Sequence, residues 1–144
     1  MKRTLLLVAV SVGAALVTAA CGGTAGGDTN GPIKIGASLP LTGEFSQPGQ
    51  AAKRGYQVWQ EMINKNGGLL GQDVKLVIKD DASNQNSIVA DYNALISQDR
   101  VDLLLGTFSS LLNLPASAVA ERNQMLYVEP AGGSPEMFSR DFPA

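Results

Sequence analysis

Between residues 33 and 128 the hydrophobic pattern keeps changing period, and this restricts the fold more than any other feature of the chain. Ile33-Lys34-Ile35-Gly36-Ala37-Ser38-Leu39 reads as a strand stopped by Pro40. The stretch from Leu41 to Gly49, with its Thr42-Gly43 and Pro48-Gly49 pairs, reads as a loop. Ala52, Tyr56, Trp59 and Ile63, with Met62 beside them, mark one face of a helix over about residues 50–65, ended by Asn66-Gly67-Gly68. A second strand, 74–78, closes at Asp80-Asp81. Ile88, Val89, Tyr92, Leu95 and Ile96 stripe a second helix. The short apolar run 102–106 suits a central strand buried on both faces. A third helix is expected over about 114–123, with Pro115 admissible only in its first turn. Met125-Leu126-Tyr127-Val128 is a fourth strand, ending at Glu129-Pro130.

Strand and helix alternating in this way imply an α/β fold. It is a three-layer α/β/α sandwich around a parallel sheet, with right-handed crossovers placing helices on both faces. If the strand order is of the flavodoxin type, the first and third strands are neighbours and the sheet reverses direction between them. Ligands bind at the carboxyl ends of strands at such a point. Two loops meet there, 40–49 after the first strand and 107–113 after the third.

Those loops offer binding chemistry. Thr107, Ser109, Ser110 and Asn113 supply hydroxyls and an amide just before a helix start, where backbone N–H groups and the helix dipole favour an anion such as a carboxylate. The alternative is that Ser110 or Asn113 simply caps the helix. After the fourth strand, Ala131-Gly132-Gly133-Ser134 either brings main chain close to a small ligand or forms a plain turn.

Composition removes most catalytic readings. The 144 residues contain no His and one Cys, which excludes Ser-His-Asp and Cys-His catalysis, Cys-cluster metal sites and an internal disulfide. No metal or cofactor is expected, and a formal charge of −2 lacks the basic footprint of a nucleic-acid binder. The first loop has no G-x-G-x-x-G and the chain no Walker sequence. Asp80-Asp81 is read as capping a strand end and starting the next helix rather than as a metal or phosphoacceptor pair. Ser109 and Ser110 have no visible base to activate them. Tyr56 and Trp59, on the helix stripe, are read as core.

The amino terminus reads as an address. Met1-Lys2-Arg3 is basic, 4–17 is apolar or small, and Thr18-Ala19-Ala20 leads into Cys21. This is the pattern of a signal peptide over 1–20, and the apolar run is short for a membrane span. The cysteine at the cut resembles a bacterial lipobox, with Thr18 where Leu is usual. A plain secretory cut beside an incidental cysteine is the alternative. Residues 21–31 then form a Gly-rich tether after the lipidated Cys21, and 32–144 form the folded part. Contact with the membrane would rest on the lipid alone.

A more specific likeness lies in the order of several short motifs. Ile33-Lys34-Ile35-Gly36, Leu39-Pro40-Leu41-Thr42-Gly43, Ile63-Asn64-Lys65-Asn66-Gly67-Gly68 with Gly71, Asp80-Asp81, Gly106 with Ser109-Ser110, and Pro130-Ala131 follow one another. Together they resemble the opening of the branched-chain amino acid (leucine/isoleucine/valine) binding proteins, the type I periplasmic receptors of ATP-driven ABC importers. The resemblance covers essentially 32–140. It implies a flavodoxin-like first lobe, incomplete here, and a hinge closing over an amino acid or related amide against a second lobe absent from this stretch. The residues given are therefore expected to be either the N-terminal part of a longer protein or a truncated product. The resemblance also implies that Ser110 holds the ligand's α-carboxylate and α-amino groups and that Ala131 is a backbone contact. Branched-chain binders have a Thr soon after that Ala; Gly133 stands here, with Ser134 as a substitute. They also have an aromatic side chain near the end of the first loop, where Pro48 stands. Some relatives bridge two of these loops by a disulfide, where this chain has Ser83 and Ser109. The implied function is an extracytoplasmic lipoprotein that delivers a small ligand to the membrane subunits of an importer and catalyses nothing. A ligand-sensing receptor domain of the same fold, coupled to a signalling partner, is the alternative.

Overall fold

The computed structural model describes residues 31–139. The expected signal peptide, Cys21 and most of the tether lie outside them. Four parallel strands form one sheet: β1 (Ile33–Leu39), β2 (Val74–Asp80), β3 (Leu103–Leu105) and β4 (Tyr127–Val128). Their order is β2-β1-β3-β4, the flavodoxin-type arrangement. β1 pairs along its whole length with β2, Ile33 opposite Val74 and Leu39 opposite Asp80, and its other side takes β3 over Ile35–Ala37.

Three helices connect them: α1 (Ser46–Lys65), α2 (Gln85–Ser97) and α3 (Ser110–Arg122). α2 packs on α3 and β1, whereas α1 packs on β2 and β1. Right-handed crossovers leaving β1 and β2 in opposite directions place α1 on one face and α2 on the other. The core is built mainly on the α2–α3 side. Ile88, Tyr92 and Leu95 of α2 and Leu112, Ala116, Val119 and Ala120 of α3 close over Leu104 and Val101. Each buried Leu or Ile there contributes roughly 1.5–3 kcal/mol of transfer free energy.

Two helices start earlier than the pattern suggested. α1 begins at Ser46, so Pro48-Gly49 is not loop but first turn. A proline there forfeits nothing, because first-turn N–H groups have no partner within the helix. Gly49 is buried, and a Cβ on it would stand 2.0 Å from the Pro40 carbonyl oxygen, so only glycine lets the helix start against the first loop. α3 begins at Ser110, which puts Pro115 in its second turn rather than its first. The missing N–H frees the Leu111 carbonyl, and the Gln85 side-chain amide donates to it at 3.1 Å.

The next helix after β2 is capped by Asn84, whose side chain accepts from the N–H groups of Asn86 and Ser87, and not by Asp80-Asp81. The α1 stripe is real, but only part of it is covered. Tyr56 and Ile63 are half-buried, while Trp59 is 39% exposed and Met62 60%, contrary to the reading of Trp59 as core.

Candidate ligand-binding site

The sheet reverses between β1 and β3, so the loops after β1, β3 and β4 converge at one edge. Each is anchored by a different device. Asp80, at the end of β2, accepts from the Leu41 N–H (2.9 Å), the Thr42 N–H (3.2 Å) and the Thr42 hydroxyl (2.8 Å), which fastens the first loop. Burial nudges the Asp80 carboxyl upward, but these bonds and one from the Ala82 N–H outweigh it and hold it below its ordinary value. Asp81 is fully buried and reaches the other way, accepting from the Ser83 N–H at 2.8 Å and the Thr107 hydroxyl at 3.1 Å. Burial pushes its carboxyl up to about 6, with the charges of Asp80 and Asp91 adding to the rise and its two hydrogen bonds opposing it.

Asn113 ties the remaining loops together from inside. Fully buried, its Oδ1 accepts from the Thr107 N–H (3.1 Å) and the Tyr127 hydroxyl, while its Nδ2 donates to Thr107 O (3.1 Å), Ser109 O (3.0 Å) and Glu129 Oε1 (3.0 Å). Tyr56 crosses the sheet edge to donate to Gly106 O at 3.1 Å. Its phenol is pushed up to about 12, first by burial and then by the Glu129 charge. Burial likewise raises Tyr92 and Tyr127, so all three phenols stay neutral donors at ordinary pH.

On this scaffold the four site residues read from the sequence come together. Ser109 precedes α3 with φ 72° and ψ 147°, a left-sided conformation costing about 1–3 kcal/mol for a non-glycine residue. Its carbonyl is held by Asn113, and its hydroxyl is buried with no hydrogen-bond partner. Ser110 opens α3, and its Oγ accepts from the Ser134 N–H at 2.9 Å. The Ala131 N–H donates to Glu129 Oε1 at 2.6 Å, and Ser134 Oγ caps a short 3-10 turn over Pro135–Met137.

The capping alternative fails for both residues considered. Ser110 lies inside the helix, Asn113 is a buried brace, and no side chain caps α3. The Leu112 and Asn113 N–H groups turn back to the Ser109 carbonyl, and those of Ser110 and Leu111 retain the helix start's pull on an anion. The pattern missed Glu129 and Tyr127 as members of this network; a carboxylate and a phenol flanking a strand end carry no signal of their own. Among the described residues no cluster of three His, Cys, Asp or Glu side chains forms a cation site, and no helix is long and apolar enough to cross a membrane. The edge offers hydroxyls, amides and a helix start, the chemistry of holding a small polar molecule.

The fold is thus a flavodoxin-ordered α/β sheet whose switch point carries hydroxyls, amides and a helix start. The chain belongs to the periplasmic binding protein family, whose sequence model matches residues 32–142. It is 34% identical over 108 residues to the Leu/Ile/Val-binding protein BraC3 of Rhizobium johnstonii, covering 75% of this chain and 29% of that one. It is also 34% identical over 110 residues to the leucine-, isoleucine-, valine-, threonine- and alanine-binding protein of Pseudomonas aeruginosa, covering 76% of this chain and 29% of that one. Its backbone matches the branched-chain amino acid transporter substrate-binding protein LivJ of Streptococcus pneumoniae, solved with isoleucine, at a TM-score of 0.72. Identity is 25%, over 77% of this chain and 32% of LivJ. The leucine-binding protein LivK of Thermotoga maritima matches at a TM-score of 0.69 with 29% identity, over 76% of this chain and 31% of LivK. The chain thus spans under a third of the length of these relatives.

Proposed function

We propose that these residues are the first-lobe wall of an extracytoplasmic solute-binding lipoprotein that captures an amino acid or related small amide and delivers it to the membrane subunits of an ABC importer. The observation that carries this reading is the buried, unpaired Ser109 hydroxyl beside the uncapped start of α3, at the point where the sheet reverses. A carboxylate seated there satisfies the hydroxyl and meets the helix dipole; Ser110, already accepting from Ser134, keeps its own proton to donate. The names of the relatives, Leu/Ile/Val-binding among them, support the amino-acid class. In this reading the protein is a binding protein, as its relatives are, and closure on the ligand is what the importer reads. The location is extracytoplasmic, as the family's is. Residues 1–20 are proposed as the leader, Cys21 as the lipidated first residue and 21–31 as its tether.

Calorimetric titration of the full-length mature protein with a panel of amino acids and small amides tests this. Binding of at least one is expected, and Ser109→Ala should weaken it about tenfold, the worth of one hydrogen bond to a charged group. Failure of every compound to bind would remove the reading. The anchor is tested separately: Cys21→Ala should move the protein from the membrane fraction to the soluble one.

A further inference from the structure

Glu129 has a place in this edge that the amino-acid reading does not use. It follows β4 directly, and its Oε1 alone takes both of the carboxylate's hydrogen bonds, from the Ala131 N–H at 2.6 Å and Asn113 Nδ2 at 3.0 Å. Oε2 receives none from the described residues. The carboxylate lies close against the turn: a Cβ on Gly132 would fall 2.9 Å from Oε1 and 3.1 Å from Cδ, so a side chain at 132 would push the carboxylate out of this position.

Two consequences follow from the position. The Ala131 N–H, a main-chain donor at the site, already carries the protein's own carboxylate, so a ligand carboxylate placed there would set two anions against one donor. The surroundings also carry one sign of charge. The strand ends and following loops over 39–45, 80–84, 105–110 and 129–137 contain Glu44, Asp80, Asp81, Glu129 and Glu136 and no Lys or Arg. Lys79, the basic residue next to Asp80, is turned to Asp99 in an ion pair of 3.0 Å.

We propose that Glu129 is a specificity residue that selects a ligand of net positive charge, seating an ammonium or guanidinium against its unengaged oxygen while the start of α3 holds any carboxylate. The inference rests on the amino-acid-receptor reading and narrows it to basic amino acids and amines. Full-length mature protein, wild type and Glu129→Gln, is titrated with L-arginine, L-lysine, 1,4-diaminobutane and L-leucine. The amide keeps an oxygen acceptor for Ala131 and Asn113, and thermal melts establish that the variant folds.

Wild type should bind at least one cation more tightly than leucine. Glu129→Gln should weaken that cation about tenfold or more and weaken leucine, which carries only its α-ammonium, by a clearly smaller factor. Raising salt from about 50 to about 500 mM should weaken the cation in wild type and spare leucine, a readout independent of the variant. Leucine binding more tightly than every cation, with a ratio unmoved by Glu129→Gln, would overturn the inference and leave the amino-acid reading intact. Absence of binding by any probe would overturn both.

Discussion

Asn113 shows how much one buried amide can organise. All its polar atoms are used, and its partners belong to the loop after β3, the start of α3, the end of β4 and the turn that follows. Asn113→Ala leaves several buried donors and acceptors unpaired and releases the strained Ser109, so a loss of about 3 kcal/mol or more is expected in urea denaturation. A loss below about 1 kcal/mol would mean that water replaces the amide without difficulty. Asp81 predicts the opposite sign. Its folded pKa of about 6 lies above the ordinary 3.8, so its stabilising effect is complete below about pH 4 and is lost as pH rises through about 6. At pH 7 it therefore burdens the fold. Asp81→Asn retains an acceptor for the Ser83 N–H and a partner for Thr107, and should raise stability at pH 7 by on the order of 2 kcal/mol. It should also flatten the pH profile between 4 and 6, which denaturation at stepped pH would read directly. Asp80 acts in a lower window: its depressed pKa gives stability that is present above its ordinary value and lost on further acidification.

At the scale of elements, the apolar pattern located the four strands and three α-helices, by helical period for α1 and α2 and by short contiguous runs for β3 and β4, while the 3-10 turn over Pro135–Met137 left no such signal. The starts of α1 and α3 were not legible. Pro48-Gly49 and Pro115 carry the local chemistry of breakers, and contacts distant in sequence override it: Pro40 against Gly49, and Gln85 on the Leu111 carbonyl. The same gap explains the site. Ser109, Ser110, Ala131 and Ser134 were proposed from their place after the third and fourth strands and from the family resemblance, whereas Glu129 enters only through partners that no local pattern announces. Gly49→Ala should cost more than about 2 kcal/mol, since its Cβ meets main chain that cannot yield. Pro115→Ala should be neutral or raise stability by up to about 2 kcal/mol, by restoring the helical bond that Gln85 now replaces. Chemical denaturation of the two variants distinguishes these opposite signs; destabilisation by Pro115→Ala would show that the Gln85 contact outweighs the helical one.

At the scale of the whole molecule, the acidic edge, the uncapped α3 and the α2–α3 core all depend on one fact, the placing of β3 on the far side of β1 from β2. That placement also sets an order in time. β1 and β2 are joined by a single helix and pair along their full length, so they can zip together early. β3 must pass over to the free side of β1 before the loops after β1 and β3 become neighbours. A protein exported unfolded would thus regain its α1–β1–β2 half first and its ability to hold a ligand last. Trp59 on α1 is the one tryptophan of residues 1–144, and a variant of the full-length protein that keeps tryptophan at position 59 alone should recover its fluorescence ahead of ligand binding when diluted from denaturant into buffer. Recovery of both at a single rate would mean that the half-sheet does not form alone. If the proposed receptor function holds, the last-formed edge acts as a quality mark: a protein that holds its ligand has finished folding.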